Sequence, residues 1–189
     1  MKVILIRHGE TTTSAKIYAG RSDVSLTLHG HEQAAQIAGA LALEPLTHIL
    51  VSPLSRAINT AEPLACHHGL VPRVTPALAE IDFGVLEGHE KGPLGLNLRK
   101  SHAHEPIPGG EALADVWDRA GDVFDQIPKS PGTLCAVVGH FWINRLIWGR
   151  LQGLSFSAAC ASRVYRPATG SWVAIDSPRV AAPANRVRV

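Results

Sequence analysis

A chain of 189 residues, 46% apolar, 18% charged and 5% aromatic, has the make-up of a globular protein large enough to bury a core. Its formal net charge of +2 excludes the broad basic face that nucleic acid or an anionic membrane would demand, so an anionic ligand has to be met by a local cluster of positive groups. The opening apolar run, Val3 to Ile6, is too short for a membrane span or signal-peptide core, and Cys66, Cys135 and Cys160 are scattered without Cys-x-x-Cys spacing. Those thiols read as buried and reduced, which places the protein in the cytoplasm.

Short apolar runs alternate with helical patterns along the whole chain, the signature of an α/β fold. The expected architecture is a three-layer sandwich, a mostly parallel sheet flanked by helices, formed by residues 1–189 as one domain. The first strand covers Val3 to Ile6. A helix follows from Leu28 to about Leu43, capped by Thr27, with Ala34, Ala35, Ile37, Ala38 and Leu41 on its inner face. His48 to Val51 form the second strand, and a helix from Ser55 to His67 ends at Gly69 and contains Pro63. Residues 88–110 carry five glycines and three prolines with three histidines between them, and read as a loop-rich insertion that either covers a site or moves freely. Leu113, Val116, Trp117, Ala120, Phe124 and Ile127 keep helical spacing. Leu134 to Val138 is a continuous apolar strand of the buried kind, followed by a helix from about Trp142 to Leu151. Val164 and the run Trp172 to Ile175 are expected as late strands near an edge.

Polar residues of one chemical type follow three of these strands. Val3–Ile6 runs into Arg7 and His8. His48–Val51 runs into Ser52, with Arg56 one helical turn further on, and Leu134–Val138 runs into Gly139 and His140. Ligands of open α/β sheets bind outside the carboxyl ends of the strands, so parallel neighbours would gather His8, His140, Arg7 and Arg56 at one edge. Guanidinium forks match phosphoryl oxygens, and Gly9 would let backbone N–H groups approach the anion. Singly, each of these residues has an ordinary structural explanation; the repeated pattern is what points to phosphate.

Arg7-His8-Gly9-Glu10-Thr11 resembles the Arg-His-Gly-Glu-Thr signature of the histidine phosphatase superfamily, which includes the cofactor-dependent phosphoglycerate mutases. Further segments are similar in order: Gly20-Arg21-Ser22-Asp23 through Leu26, Thr27 and Gly30; Ser52-Pro53-Leu54-Ser55-Arg56-Ala57 with Thr60-Ala61; Leu78-Ala79-Glu80 through Phe83-Gly84 with Glu87-Gly88; Pro108-Gly109-Gly110-Glu111; and Val137-Val138-Gly139-His140. The resemblance implies that His8 attacks phosphorus and carries a phosphohistidine. It implies that Arg7, Arg56 and His140 surround the phosphoryl oxygens, with Gly9, Ser14 and Gly20 also on the substrate. Glu80 would protonate the leaving alcohol and then activate water, so it must hold a proton when the substrate arrives. The His8 ring must be neutral to attack, its other nitrogen donating to a carbonyl of Gly9 or the loop beyond. No metal and no cofactor is required, and no His-Glu-x-x-His or Cys-x-x-Cys spacing appears. The partner implied is a small phosphomonoester.

The chain departs from the family in two places. Ser14 stands where an asparagine is common, and Phe141-Trp142 follow His140 where small residues are usual. The aromatic pair reads either as core packing or as a lining that favours an aromatic or nucleoside-like alcohol. The short insertion argues for hydrolysis over mutase-type transfer; the Tyr18-Ala19-Gly20 and Gly170–Asp176 segments are similar to α-ribazole phosphate phosphatases, with a broad-specificity sugar or phosphoglycerate phosphatase the equal alternative. A non-catalytic phosphate-binding relative is the remaining alternative, disfavoured because His8, Glu80, Arg56 and His140 are all present.

Overall fold

A computed structural model of the chain describes residues 2–13, 16–91 and 97–176. Ser14 and the centre of the insertion lie outside the described residues. Five strands form one sheet: β1 (Lys2–Arg7), β2 (His48–Val51), β3 (Arg73–Val74), β4 (Leu134–Gly139) and β5 (Trp172–Asp176), in the order β3-β2-β4-β1-β5. The first four are parallel, while β5 runs antiparallel along the edge of β1. β4 lies at the centre and every one of its residues is buried, as expected of a strand covered on both faces.

The period-two alternation of strand side chains sorts the core into two halves. Ile4, Ile6, Ile49, Val51, Ala136 and Val138 point to one face, where α1 (Leu28–Ala40) and α2 (Ser55–His68) cover them. Val3, Leu5, Leu50, Cys135 and Val137 point to the other, against α4 (Leu113–Gln126), α5 (Phe141–Leu151) and α6 (Phe156–Ala161). The result is the three-layer α/β sandwich that the alternating pattern predicts.

Local signals set most boundaries. The Thr27 hydroxyl accepts the Gly30 N–H at 3.0 Å and starts α1. Gly69 ends α2 with φ 61°, a left-handed conformation that glycine adopts without strain. Asp23, from a distant loop, supplies the acceptor at the start of α2, taking the Ser55 N–H at 2.8 Å. Ala35 is exposed, not on the inner face, because it lies about 100° around the helix from the buried Ala34 and about 160° from the buried Ile37.

The late strand expected at Val164 does not form, and Val164 is 84% exposed. The reason lies in Arg145 of α5, whose guanidinium draws in the carbonyls of Cys160, Ser162 and Tyr165. Those backbone groups go to a side chain, and β5 occupies the open edge of β1. Within the insertion, a short helix α3 (Leu98–Ser101) forms, and Leu98 and Ile107 are buried against the α4–α5 side of the core.

Candidate active site

The parallel strands β1, β2 and β4 end abreast: Arg7 pairs with Gly139, and Val51 with Val138. His8, Ser52 and His140 therefore emerge side by side. The His8 and His140 ring centroids are 5.1 Å apart.

His8 is 7% exposed. Its Nδ1 lies 2.7 Å from the carbonyl oxygen of Gly9, so Nδ1 carries the proton and Nε2 is the basic nitrogen. Burial, reinforced by the charges of Arg56 and Arg7, pushes its pKa down to about 3. The ring is neutral at any physiological pH. Gly9 plays a different part from the one expected. Its N–H is held by the Thr60 hydroxyl at 3.0 Å and does not face an anion. Its missing Cβ makes room for α1, since a Cβ there would sit 2.4 Å from the Gly30 carbonyl oxygen.

Arg56, 2% exposed, is held by four donations to protein groups. Nε donates to His140 Nδ1 at 3.2 Å, Nη1 to the Ser22 carbonyl, and Nη2 to the carbonyls of Ala19 and Gly20. One Nη1 hydrogen remains. His140 is fully buried; with Nδ1 accepting from Arg56, its Nε2 donates to the Ser52 hydroxyl at 2.7 Å. His140 thus stands behind Arg56, and burial together with the neighbouring Arg56 charge holds its pKa well below the usual value. The Gly20 carbonyl is one arm of the Arg56 cradle, and a Cβ on Gly20 would lie 2.0 Å from the Ile81 carbonyl oxygen.

Arg7 donates to the Pro167 carbonyl at 2.9 Å, and its guanidinium lies over the Phe141 ring, 5.4 Å from the centroid. Its Nε is buried without a protein partner. Burial lowers the pKa of both Arg7 and Arg56, with the charge of Glu80 the largest effect opposing it for each.

Glu80, 8% exposed, sits against the N-terminus of α5. Its Oε1 accepts N–H groups from Ile81, Trp142 and Ile143 at 3.0, 3.1 and 3.4 Å, while Oε2 takes only the Trp142 N–H at 3.2 Å. A helix N-terminus presents unpaired N–H groups and the positive end of the helix dipole, which suits a carboxylate.

Arg7, His8, Arg56 and Glu80 share one cleft of 330 Å³. The rest of its wall is largely apolar, with Tyr18, Phe83, Leu98, Phe141 and Trp142, and Lys91 also borders it. Both aromatic residues that depart from the family pattern therefore face the cleft, at right angles to one another. A second cavity shares Leu98, Phe141 and Trp142 with the first and adds Arg99, Arg145 and Arg166, with no carboxylate in its lining. Among the described residues, no group of three or more His, Cys, Asp or Glu could hold a metal ion.

Some supporting residues carry no signal that a linear reading detects. Thr60 and Glu87 belong to motif segments, yet their work is tertiary. Glu87 accepts the Arg21 and Ser22 N–H groups and the Ser22 hydroxyl, shaping the loop whose carbonyls hold Arg56. Arg119, in the middle of α4, has nothing in its spacing that distinguishes it from a solvated helix residue.

A family model described as the histidine phosphatase superfamily (branch 1) matches residues 3–182, and the chain belongs to that superfamily. It is 32% identical over 149 residues to the probable phosphoglycerate mutase GpmB of Cronobacter sakazakii, covering 74% of this chain and 69% of that protein. The corresponding protein of Erwinia tasmaniensis is 32% identical over 169 residues, covering 84% and 78%. Among solved structures, the alpha-ribazole phosphatase from Shigella flexneri is similar with a TM-score of 0.79 and 27% identity, over 93% of this chain and 90% of that one. A mycobacterial glucosyl-3-phosphoglycerate phosphatase is similar with a TM-score of 0.78 and 25% identity, over 92% and 88%. The two solved structures, both phosphatases, share the α/β sandwich of this chain. No helix of the described residues is long and apolar enough to cross a membrane.

Proposed function

We propose that the protein hydrolyses phosphomonoesters through a phosphohistidine on His8. The observation that carries this reading is one cleft bordered by a neutral His8, two guanidinium groups and the Glu80 carboxyl. Nε2 of His8 attacks phosphorus while the bond to the leaving oxygen breaks, and Glu80 delivers a proton to that oxygen. Oε1 is engaged with three N–H groups, so Oε2 is the oxygen that carries the proton. Ionised Glu80 then takes a proton from water, whose oxygen attacks phosphorus, breaks the P–N bond and restores neutral His8.

Arg7 and the remaining N–H of Arg56 stabilise the charge that builds on the phosphoryl oxygens, an effect worth about 10²–10³-fold per donor in comparable sites. His140, held by Ser52, fixes the Arg56 guanidinium, and the Gly9 carbonyl fixes the His8 tautomer. Ser14 and Gly20 complete the proposed phosphate surroundings, Gly20 through its carbonyl on Arg56.

The adjoining arginine-lined cavity supports an alcohol with a negative group of its own, placed beyond Trp142. The relatives named as mutases favour a second reading, in which the phosphoryl group passes to another alcohol instead of water.

The test is a labelled phosphomonoester mixed with the enzyme and quenched in alkali. An alkali-stable, acid-labile phosphoryl adduct, absent from His8→Ala, is the expected result. No adduct and no phosphate release over sugar, glycerate, nucleotide and ribazole phosphates would overturn it. Adding 3-phosphoglycerate with its bisphosphate then separates hydrolysis from transfer.

A further inference from the structure

Residues 79–83 run between two short turns, and only some of their backbone groups find partners within the main chain. A bidentate ion pair meets several of the others. Arg119 of α4 donates from Nε and Nη2 to the two carboxylate oxygens of Glu111, at 2.9 and 3.0 Å. Its other donations go to the Ala77 and Ala79 carbonyls from Nη1, at 2.8 and 2.5 Å, and to the Glu80 carbonyl from Nη2, at 3.1 Å. Glu111 in turn accepts the Asp82 N–H at 2.9 Å and the Arg21 Nη2 at 3.2 Å. The pair therefore grips the chain on both sides of Glu80, at the carbonyl of 79 before it and at the carbonyl of 80 and the amide of 82 after it.

Both side chains are largely shielded, 14% exposed for Arg119 and 20% for Glu111. Although burial pushes the Glu111 carboxyl up, the hydrogen bonds and charge of Arg119 bring it below the ordinary carboxylate value overall. A planar fork that bonds a carboxylate bidentately and reaches three carbonyls is a geometry lysine cannot reproduce.

We infer that Glu111 and Arg119 are positioning residues for proton transfer by Glu80, setting the backbone from which its carboxyl reaches the leaving oxygen. Neither lines the cleft, so both act through Glu80. The inference rests on the reading of Glu80 as acid and base, and the experiment tests the two separately.

Glu80→Gln, Arg119→Gln, Arg119→Lys and the double variant Glu80→Gln/Arg119→Gln are compared on 4-nitrophenyl phosphate, whose leaving group needs little protonation, and on glycerol phosphate, whose alkoxide needs it fully. Loss of the acid in Glu80→Gln lowers kcat/KM for glycerol phosphate by about 10²–10⁴-fold more than for the nitrophenyl ester. The expected result for Arg119→Gln is the same selective loss at roughly 10–10²-fold, with the inhibition constant for inorganic phosphate unchanged and little further loss in the double variant. Arg119→Lys falls between wild type and Arg119→Gln, and supplies the comparison if Arg119→Gln does not fold. Equal losses on both substrates in whichever Arg119 variant folds, a changed phosphate inhibition constant, or additive losses in the double variant would overturn the inference. If Glu80→Gln itself shows no dependence on the leaving group, the reading of Glu80 fails instead.

Discussion

His8 donates from Nδ1 to the carbonyl oxygen of Gly9, the residue that follows it, across 2.7 Å. The proposed nucleophile and the group that selects its tautomer are thus adjacent in sequence, and burial beside Arg56 and Arg7 keeps the ring uncharged down to about pH 3. The His8 value in the fold lies below its ordinary 6.5, so the unfolded chain takes up the proton first as pH falls. The contribution of His8 to stability is complete above the unfolded value and is lost progressively as pH falls toward the folded one. Denaturant midpoints followed from pH 7 to pH 4 should fall less steeply for His8→Asn than for wild type. In the native protein the His8 ring resonances should show no titration between pH 5 and 8. Parallel stability curves or a mid-range titration would contradict this.

Gly9→Ala should cost more than a helix or loop alanine does. The added Cβ meets a backbone oxygen of Gly30, which cannot swing away as a flexible side chain can. A loss of about 1–3 kcal/mol is expected from overpacking of this kind. Because His8 precedes Gly9, kcat should drop with it. Chemical unfolding and steady-state kinetics on the same preparation check both.

Trp142→Ala should reorder the preferred substrates. Trp142 borders both cavities, with the Arg145 guanidinium 5.7 Å above its ring, so it separates the His8 cleft from the arginine-lined end. The ranking of kcat/KM among sugar and nucleoside phosphates is the readout. An unchanged ranking would remove the aromatic wall from the recognition of the alcohol.

Arg99→Ala combined with Arg166→Ala should leave 4-nitrophenyl phosphate turnover near the wild-type level. For an ester whose alcohol carries a carboxylate or second phosphate, kcat/KM should fall roughly 10-fold or more, the scale of a lost charge-assisted contact. Arg145 is left intact because its donors hold the 160–165 segment. A uniform effect on both substrates would show that the second cavity takes no part in selection.

Much of this was legible in the chain itself. The apolar runs at Val3–Ile6, His48–Val51 and Leu134–Val138 give their own period and length, and Thr27 and Gly69 mark helix ends by local hydrogen bonding and backbone freedom. The carboxyl-end rule then brings His8, Arg56 and His140 to one edge without any knowledge of side-chain contacts. The two-residue strand β3 and the six-residue helix α6 were too short for a period to register. The failed strand at Val164 was decided by Arg145, on another element.

What the sequence determined by itself is the proposed phosphate end of the site: the residue types, their order, and their arrival at the ends of parallel strands. These follow from local physics, because strand alternation and helix capping act over a few residues. What only the tertiary structure decided is how those groups are held. His140 and the carbonyls of residues 19, 20 and 22 absorb most of Arg56, Thr60 occupies the Gly9 amide, and Glu111 with Arg119 brackets Glu80. Each of these pairings satisfies a buried polar group with one from a remote element, and burial is a property of the folded whole that no local window contains.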